Sequence, residues 1–361
     1  MPTGTGAANL RNLPLTKYAV NPGLFNQLTS RTVFAPGNFP LPGFGNYVTN
    51  QLLQVGIVAG LRVLVKGTVT TVDGGGVNIV PTAKWPWGLI NRFTVSGNGQ
   101  NDFISCDGID LHTRQLIQNR AMVDGYSSWP AAGNAIFAAA GAANFQLQFY
   151  VPIAMDLTTL VGALYAQSEA TNLTYRIQTE TEANLFTETL GTVTIDATVL
   201  IEEEIYEVPY DPQHADTLII PDLTVLHGMV ANENAIAQQA VLDTNLFRIQ
   251  GQLERLFFRS FDPAAPTIWV QTAAYNYSQL IYGANQAPYT FNPQDNLQVR
   301  NNTDYRVILD DGIYVMDMVA DNPARDQVLL EGVTNLRLRQ SFSSVPGASA
   351  VTHFVQETLF A

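Results

Sequence analysis

Residues 148–178 pack two strand patterns and a helical pattern into one short stretch, and this compression constrains the chain more than any other feature. Phe149, Tyr150 and Val151 are strand formers. Pro152 ends their run, and Asp156 or Thr158 can cap a helix that begins near Leu157. Leu157, Leu160, Val161 and Leu164 recur at helical spacing. Beyond residues 167–170, Leu173, Tyr175 and Ile177 alternate with Asn172, Thr174, Arg176 and Gln178. Period 2 marks a half-buried strand, so the expectation is a short helix spliced between two strands of a β domain.

The flanking sequence extends that pattern in both directions. Residues 1–50 contain Pro2, Pro14, Pro22, Pro36, Pro40 and Pro42 and read as an extended arm, because closely spaced prolines deny both helix and central strand. From Val55 onward strand follows strand: Leu61, Val63 and Val65 alternate with Arg62, Leu64 and Lys66, and glycines 74–76 supply a tight turn. Residues 110–123 form the first helical candidate, with acid at the start and Arg114 and Arg120 later, as the helix dipole favours. Residues 131–143 read as a surface loop. Val193, Ile195, Ala197 and Val199 alternate until the run closes at Glu202, Glu203 and Glu204, and a polar connection through Pro212 places a domain boundary near residue 212. In the second half Asp222 can cap a helix through Leu226 and Met229, and residues 247–255, 313–319 and 328–342 supply strands. Alternating runs broken by turn residues every 8 to 12 positions imply two β sandwiches in tandem.

These pieces together resemble the major capsid proteins of tailless, internal-membrane phages, the tectivirus type with two jelly rolls per chain. The unit at 148–178 carries the likeness, supported in order by residues 55–65, by 89–95 followed by Asp110-Leu111-His112, by 202–206 with 219–226, and by 311–317. The resemblance implies an all-β fold of two tandem eight-stranded jelly-roll β-sandwiches with short inserted helices. They would span 51–212 and 213–345, behind an N-terminal arm at 1–50. Residues 346–361 would follow as a C-terminal arm that clamps a neighbour or adds a strand. It further implies homotrimers that form pseudo-hexameric capsomers of an icosahedral capsid around an internal membrane. Partners would then be neighbouring capsomers, membrane lipids and minor capsid or vertex proteins, with no cofactor. On this reading Arg11, Lys17 and Arg31 touch lipid headgroups or neighbouring subunits. The proline-rich start is unlike a long amphipathic helix, which argues against direct insertion into the membrane.

Composition agrees with a protein that meets many neighbours. The chain is 46% hydrophobic but only 14% charged, against about 25% in an average domain. Charged residues are depleted at interface cores, although a β domain made polar by Asn, Gln and Thr would show the same deficit. Charge is also unevenly placed. Residues 1–72 hold Arg11, Lys17, Arg31, Arg62 and Lys66 and no acid, whereas the whole chain carries −13, leaving −18 on the remainder. A positive start on an acidic body suits an anionic surface on one side. No Lys/Arg cluster with interleaved aromatics points to sequence-specific nucleic-acid binding. The single cysteine, Cys106, excludes an intramolecular disulfide and fits assembly in a reducing host cytoplasm. Residues 1–20 lack the apolar core of an export signal, and no run of 18 apolar residues would span a membrane.

The sequence offers little catalytic chemistry. His112, His214, His227 and His353 are scattered and never two apart, unlike the strand histidines of metal-binding jelly rolls. Cys106, Asp107, Asp110 and His112 form the only dense group of potential ligands, but Asp110 and His112 lie near a helix start, where the preferred reading is as cap and first-turn residues. Asp310, Asp311, Asp317, Asp321 and Asp326 lack the spacing of a calcium loop. Ser96 lacks the preceding glycine of a nucleophile elbow. Glu202, Glu203 and Glu204 could supply paired carboxylates, but consecutive acids at a strand end more often face solvent or a neighbouring subunit's arginines. Trp85-Pro86-Trp87 and Trp129-Pro130 admit a sugar platform or simple packing between strands. The competing functional class is therefore a carbohydrate-binding β-sandwich of a receptor-binding or spike protein.

Overall fold

A computed structural model describes residues 18–20, 25, 29–72, 79–97, 101–118, 135–138, 140–167, 172–188, 191–208, 218–247, 251–282, 286–319, 328–330, 333 and 335–360. The first half supplies β1 (Tyr18–Val20), β2 (Arg31–Pro40), β3 (Tyr47–Gln51), β4 (Ile57–Val72), β5 (Ile79–Pro81), β6 (Ile90–Gly97) and β7 (Asn101–Cys106). Helices α1 (Gly108–Ile117) and α2 (Ala135–Ala138) precede β8 (Gly141–Pro152), β9 (Leu164–Tyr165) and β10 (Leu173–Thr179). Then come α3 (Glu182–Leu185), β11 (Phe186–Glu188) and β12 (Thr192–Tyr206). The second half supplies β13 (Leu218–Ile220), β14 (Leu226–Ala235), β15 (Val241–Asn245), β16 (Gln252–Phe261), β17 (Tyr275–Tyr282) and β18 (Gln286–Phe291). It ends with α4 (Asp295–Tyr305), β19 (Ile313–Asp317), β20 (Val328–Leu329), β21 (Arg337–Phe342) and β22 (Val351–Phe360).

Each half is an eight-stranded sandwich. In the first, strands in the order β3-β10-β6-β7 face β2-β12-β4-β8; in the second, β14-β22-β16-β19 face β15-β21-β17-β18. The alternation read at Leu61, Val63 and Val65 holds, since all three are fully buried and meet Phe93, Val95 and Tyr175 from the opposite sheet. Fully burying each such side chain contributes roughly 1.5–3 kcal/mol. The second core gathers Leu256, Phe258, Tyr314 and Phe354 against Leu242, Leu280 and Leu338. The sandwiches are not separate beads. Strands β7 and β14 run parallel, with Ile104 opposite Met229 and Ser105 opposite Val230, so the two facing sheets fuse into one of nine strands.

Several local expectations give way to tertiary context. The leucines at 157–164 do not form a helix. Asp156 instead accepts the N–H groups of Thr158 and Thr159, and Leu160 and Gly162 adopt positive φ angles of 56° and 86° in a tight turn. Leu160 packs against Phe25, Ile57 and Val208, which accounts for the apolar spacing without a helix. A side chain at Gly162 would collide with His227, whose Cβ lies 2.5 Å from the place a Cβ would take. Asp222 likewise accepts from the N–H and hydroxyl of Thr224 in a turn, and the chain then enters β14 rather than a helix. Helix α1 begins two residues earlier than expected, and residues 131–143 contain α2 and the start of β8.

The two terminal arms are also revised. Residues 31–51 belong to the first sandwich: β2 pairs with β12 and β3 with β10. Pro36 and Pro40 are tolerated because β2 is an edge strand with a register shift opposite Ile201 and Glu203. Of the two C-terminal alternatives, residues 351–360 form the added strand and not a clamping arm, since β22 pairs with β14 on one side and β16 on the other. The boundary near residue 212 lies outside the described residues. Deleting residues 346–361 is therefore expected to abolish the cooperative thermal unfolding transition measured by circular dichroism, whereas loss of a mere arm would leave the midpoint unchanged.

Candidate functional site at the junction of the sandwiches

The most concentrated chemistry lies where α1 crosses from the first sandwich onto the sheet of the second. Asp107 caps α1: its carboxylate accepts the N–H of Asp110, and Asp110 accepts the N–H of Asp107 in return, a reciprocal capping box. Gly108 lets the helix start press against the first sandwich, because a Cβ there would lie 2.2 Å from the Trp87 carbonyl oxygen and 2.9 Å from the Phe149 ring. His112 stacks on Trp87 with ring centroids 3.6 Å apart and planes at 9°, and burial lowers its pKa to about 4. It is therefore neutral at pH 7.

Two charge networks radiate from this helix. In the first, Arg259 of β16 donates one nitrogen to Asp107 and another to Asp110, while its guanidinium lies 5.3 Å from the Trp269 ring centroid. His353 of β22 stands beside them, with Nε2 2.9 Å from Asp110 Oδ2 and Nδ1 3.4 Å from Glu233 Oε1 of β14. Burial pushes the Asp107 carboxyl up to about 6 against the pull of Arg259. Burial acts in the same sense on Asp110, but Arg259 and His353 hold that carboxyl well below the usual range.

The second network lies one helical turn further along. Arg114 Nε donates to Glu357 Oε1 of β22 at 2.7 Å, and His227 Nε2 of β14 lies 3.0 Å from the same oxygen. Arg255 of β16 reaches Glu357 Oε2 at 3.2 Å and Asp317 Oδ2 at 2.8 Å, and Asp317 also accepts from the Tyr305 hydroxyl of α4 at 2.6 Å. Burial alone would raise Glu357, yet Arg114, Arg255 and His227 hold it well below the usual carboxylate range. A cleft of about 320 Å³ opens beside the first network, lined by Lys84, Arg92, Glu180, Phe261, Trp269 and His353.

This arrangement fastens; it is not built to react. Burial, Asp110 and Asp107 raise the Cys106 thiol well above its usual pKa, which suppresses the thiolate. Among the described residues, Asp107, Asp110 and His353 are the group whose ligand atoms converge within 4.8 Å. Both carboxylates are already held by the guanidinium of Arg259, which takes the place a cation would occupy.

Other residues singled out in the sequence are placed elsewhere. Glu203 and Glu204 are fully buried rather than facing solvent or another subunit. Glu204 accepts from Arg31, from Arg62 Nε at 2.8 Å and from the Tyr150 hydroxyl at 3.1 Å, all in the same chain. Burial pushes Glu203 up to about 7, offset in part by the N–H of Leu53. Arg31 thus sits in β2 rather than on an arm, and Arg11 and Lys17 lie outside the described residues. Asp311 accepts from the N–H of Thr272 at 2.9 Å, and Asp317 belongs to the second network. Asp321 and Asp326 lie outside the described residues, as do Trp129 and Pro130. Trp85 is core, with Phe137, Phe145 and Phe186 around its ring at centroid distances of 6.4, 6.1 and 5.0 Å, and offers no sugar platform.

No protein-family model and no curated protein sequence matches the chain. Its fold is similar to several solved structures. The crystal structure of the STIV MCP aligns with a TM-score of 0.65 at 15% identity over 92% of this chain and 97% of that one. The atomic structure of Sulfolobus turreted icosahedral virus gives 0.67 at 13% identity over 92% and 91%. The quasi-atomic structure of the PBCV-1 virus capsid gives 0.59 at 11% identity over 92% and 93%. These likenesses establish the fold as a double jelly roll.

Substituting Arg259 by Leu would leave the buried Asp107 and Asp110 with His353 as their remaining cationic partner. The expected loss is about 3–5 kcal/mol of unfolding free energy in urea titrations at pH 7, whereas Arg339→Leu, which breaks an exposed pair with Asp243, should cost below about 1 kcal/mol.

Proposed function

We propose that this chain is a viral major capsid protein, with a structural role and no catalysis. The observation that carries the reading is two complete eight-stranded jelly rolls fused through one sheet in a single chain, similar to capsid structures over nearly the full length of both partners. Two sandwiches side by side give each subunit two comparable lobes. Three such subunits around a threefold axis present six lobes, so a closed ring of three can tile a near-hexagonal lattice. The low content of charged residues supports extensive contact with other copies. In this reading the chain acts in the virion shell after assembly in the host cytoplasm, as a pseudo-hexameric homotrimer contacting neighbouring capsomers and vertex or minor capsid proteins.

The finer assignment is to the tectivirus-like, internal-membrane type. It rests on the sequence resemblance and on the acid-free, positively charged start of the chain. Arg11 and Lys17 are proposed to meet anionic lipid headgroups. Arg31 is proposed to touch lipid headgroups or a neighbouring subunit while its guanidinium pairs with Glu204. No helix among the described residues is long and apolar enough to cross a membrane, so contact would be electrostatic and at the surface.

Native mass is the first test. Light scattering after size exclusion is expected to give a species near three times 39.4 kDa that persists on dilution; a monomer at every concentration would reject the capsomer. The lipid contact is tested separately with the double substitution Arg11→Gln and Lys17→Gln. Co-sedimentation with vesicles rich in phosphatidylglycerol should fall at least severalfold while the native mass is retained, and unchanged sedimentation would reject it.

A further inference from the structure

We propose that the junction is a proton-operated latch, in which the doubly protonated ring of His353 ties α1 of the first sandwich to the sheet of the second and releases it on losing a proton. The inference goes beyond the capsid reading and does not depend on it.

The geometry offers a carboxylate acceptor to each ring nitrogen. His353 Nε2 faces Asp110 Oδ2 at 2.9 Å and Asp107 Oδ2 at 3.9 Å, and Nδ1 faces Glu233 Oε1 at 3.4 Å. A neutral imidazole carries one N–H, so it can donate to one side only and turns a lone pair toward the carboxylate on the other. The packed elements supply the opposing charges. Helix α1 brings Asp107 and Asp110, β14 brings Glu233, β16 brings Arg259, and Lys84 acts on Glu233 from the segment after β5. Three carboxylates thus face one guanidinium and one imidazolium at the centre. Loss of the imidazolium charge leaves the side of the cluster that spans α1 and β14 without its bridging cation, in a place where the His353 side chain is only 11% exposed.

The direction of the pH effect follows. Burial and Arg259 push the His353 pKa down, but Asp110 and Asp107 outweigh them and hold it up at about 9, above the ordinary 6.5. A raised pKa means that the tie is complete below about 6.5 and is lost as pH rises through about 9. Between these values the closed form keeps a proton that the open form has released, so opening becomes about tenfold easier per pH unit and levels off above about 9. Glu203, raised to about 7, and Glu254, raised to about 8, also weaken the fold as pH rises. The signature of the latch is therefore a difference between the wild-type protein and a His353 variant.

Cys106 is the natural reporter. It is the only cysteine in the chain, ends β7 beside Asp107, and is 1% exposed. The experiment measures its rate of reaction with an aromatic disulfide reagent from pH 6 to 10 in the full-length protein and in His353→Gln. Each rate is divided by that of the urea-unfolded chain at the same pH, which removes the titration of the thiol itself. The ratio of wild-type to variant rates is expected to climb about tenfold per unit between pH 6.5 and 9 and then level off; a ratio independent of pH overturns the proposal. Should His353→Gln fail to fold, Glu233→Gln serves, since the Glu233 side chain is 57% exposed. Removing that carboxylate should move the levelling-off of the normalised rate to lower pH, and an unmoved plateau overturns the latch equally.

Discussion

Two register pairs, Ile104 with Met229 and Ser105 with Val230, hold the sheets of the two sandwiches together, and the relation between the halves depends on keeping that short parallel contact in place. Parallel pairing is slightly weaker per residue than antiparallel pairing, but apolar side chains back it up, with Met229, Phe257, Val315 and Val355 of the second half joining the core of the first. Helix α1 adds a directional constraint to that packing. It leaves the end of β7, is capped by Asp107, and lays Asp110 and Arg114 onto strands β16 and β22 of the other half. Apolar contacts would tolerate a shift of an ångström or two. A guanidinium shared between Asp107 and Asp110 does not, because its donors are fixed in a planar fork. Buried ion pairs often add little net stability over well-packed apolar groups. At this junction their contribution is orientation, which the sheet alone does not define.

How much of this was legible in the sequence depended on how many faces of each element are buried. Strands β4, β10 and β12 each have one face turned to a core, and Val63, Tyr175 and Val199 announced them by period 2. The junction gave no such signal. Residues 352–359 of β22 are buried on both faces, so Thr352, His353, Gln356, Glu357 and Thr358 give no period-2 signal to choose between an arm and a strand. Glu254 adds an irregularity in β16, where the register with β22 shifts between Leu253 and Arg255, and this broke the alternation expected there. One local signal is present at the junction: Asp107 and Asp110 stand at the spacing of a capping box, which fixes the start of α1 one residue after Asp107. Their partner Arg259 is about 150 positions away in the chain, beyond the reach of any local pattern.

The turn at residues 156–163 shows the same logic at short range. Leu157, Leu160 and Leu164 fit a helix by spacing, and Asp156 fits a cap by chemistry. A side-chain carboxylate that accepts two following N–H groups starts a turn as readily as a helix. What decides between them is where the next residues find partners. Here Met155 donates to the Val161 carbonyl and Leu164 and Tyr165 pair with β4, so the chain closes on itself within one turn. Asp222 and Thr224 repeat the choice ahead of β14, where ten residues pair with β22.

The placement of charge also sharpens the meaning of the sparse surface. Only 14% of residues are charged, yet Asp110, Arg114, Glu180, Glu203, Glu204, Glu254, Arg259 and Glu357 are all buried within the subunit. The outer face therefore carries even fewer charges than composition implies. An ordinary monomer distributes its ionisable groups the other way, because Asp, Glu, Lys and Arg are almost never fully buried unless paired. A chain that places part of its few charged residues in its interior is left with a surface rich in uncharged polar groups, which lose less on desolvation than charged ones. In the proposed shell each subunit would have to arrive with its two lobes already set at one angle, because a lattice repeats any error at every position. In that proposed shell, fixing the angle inside the subunit would leave the contacts between subunits free to be weak and remade during assembly.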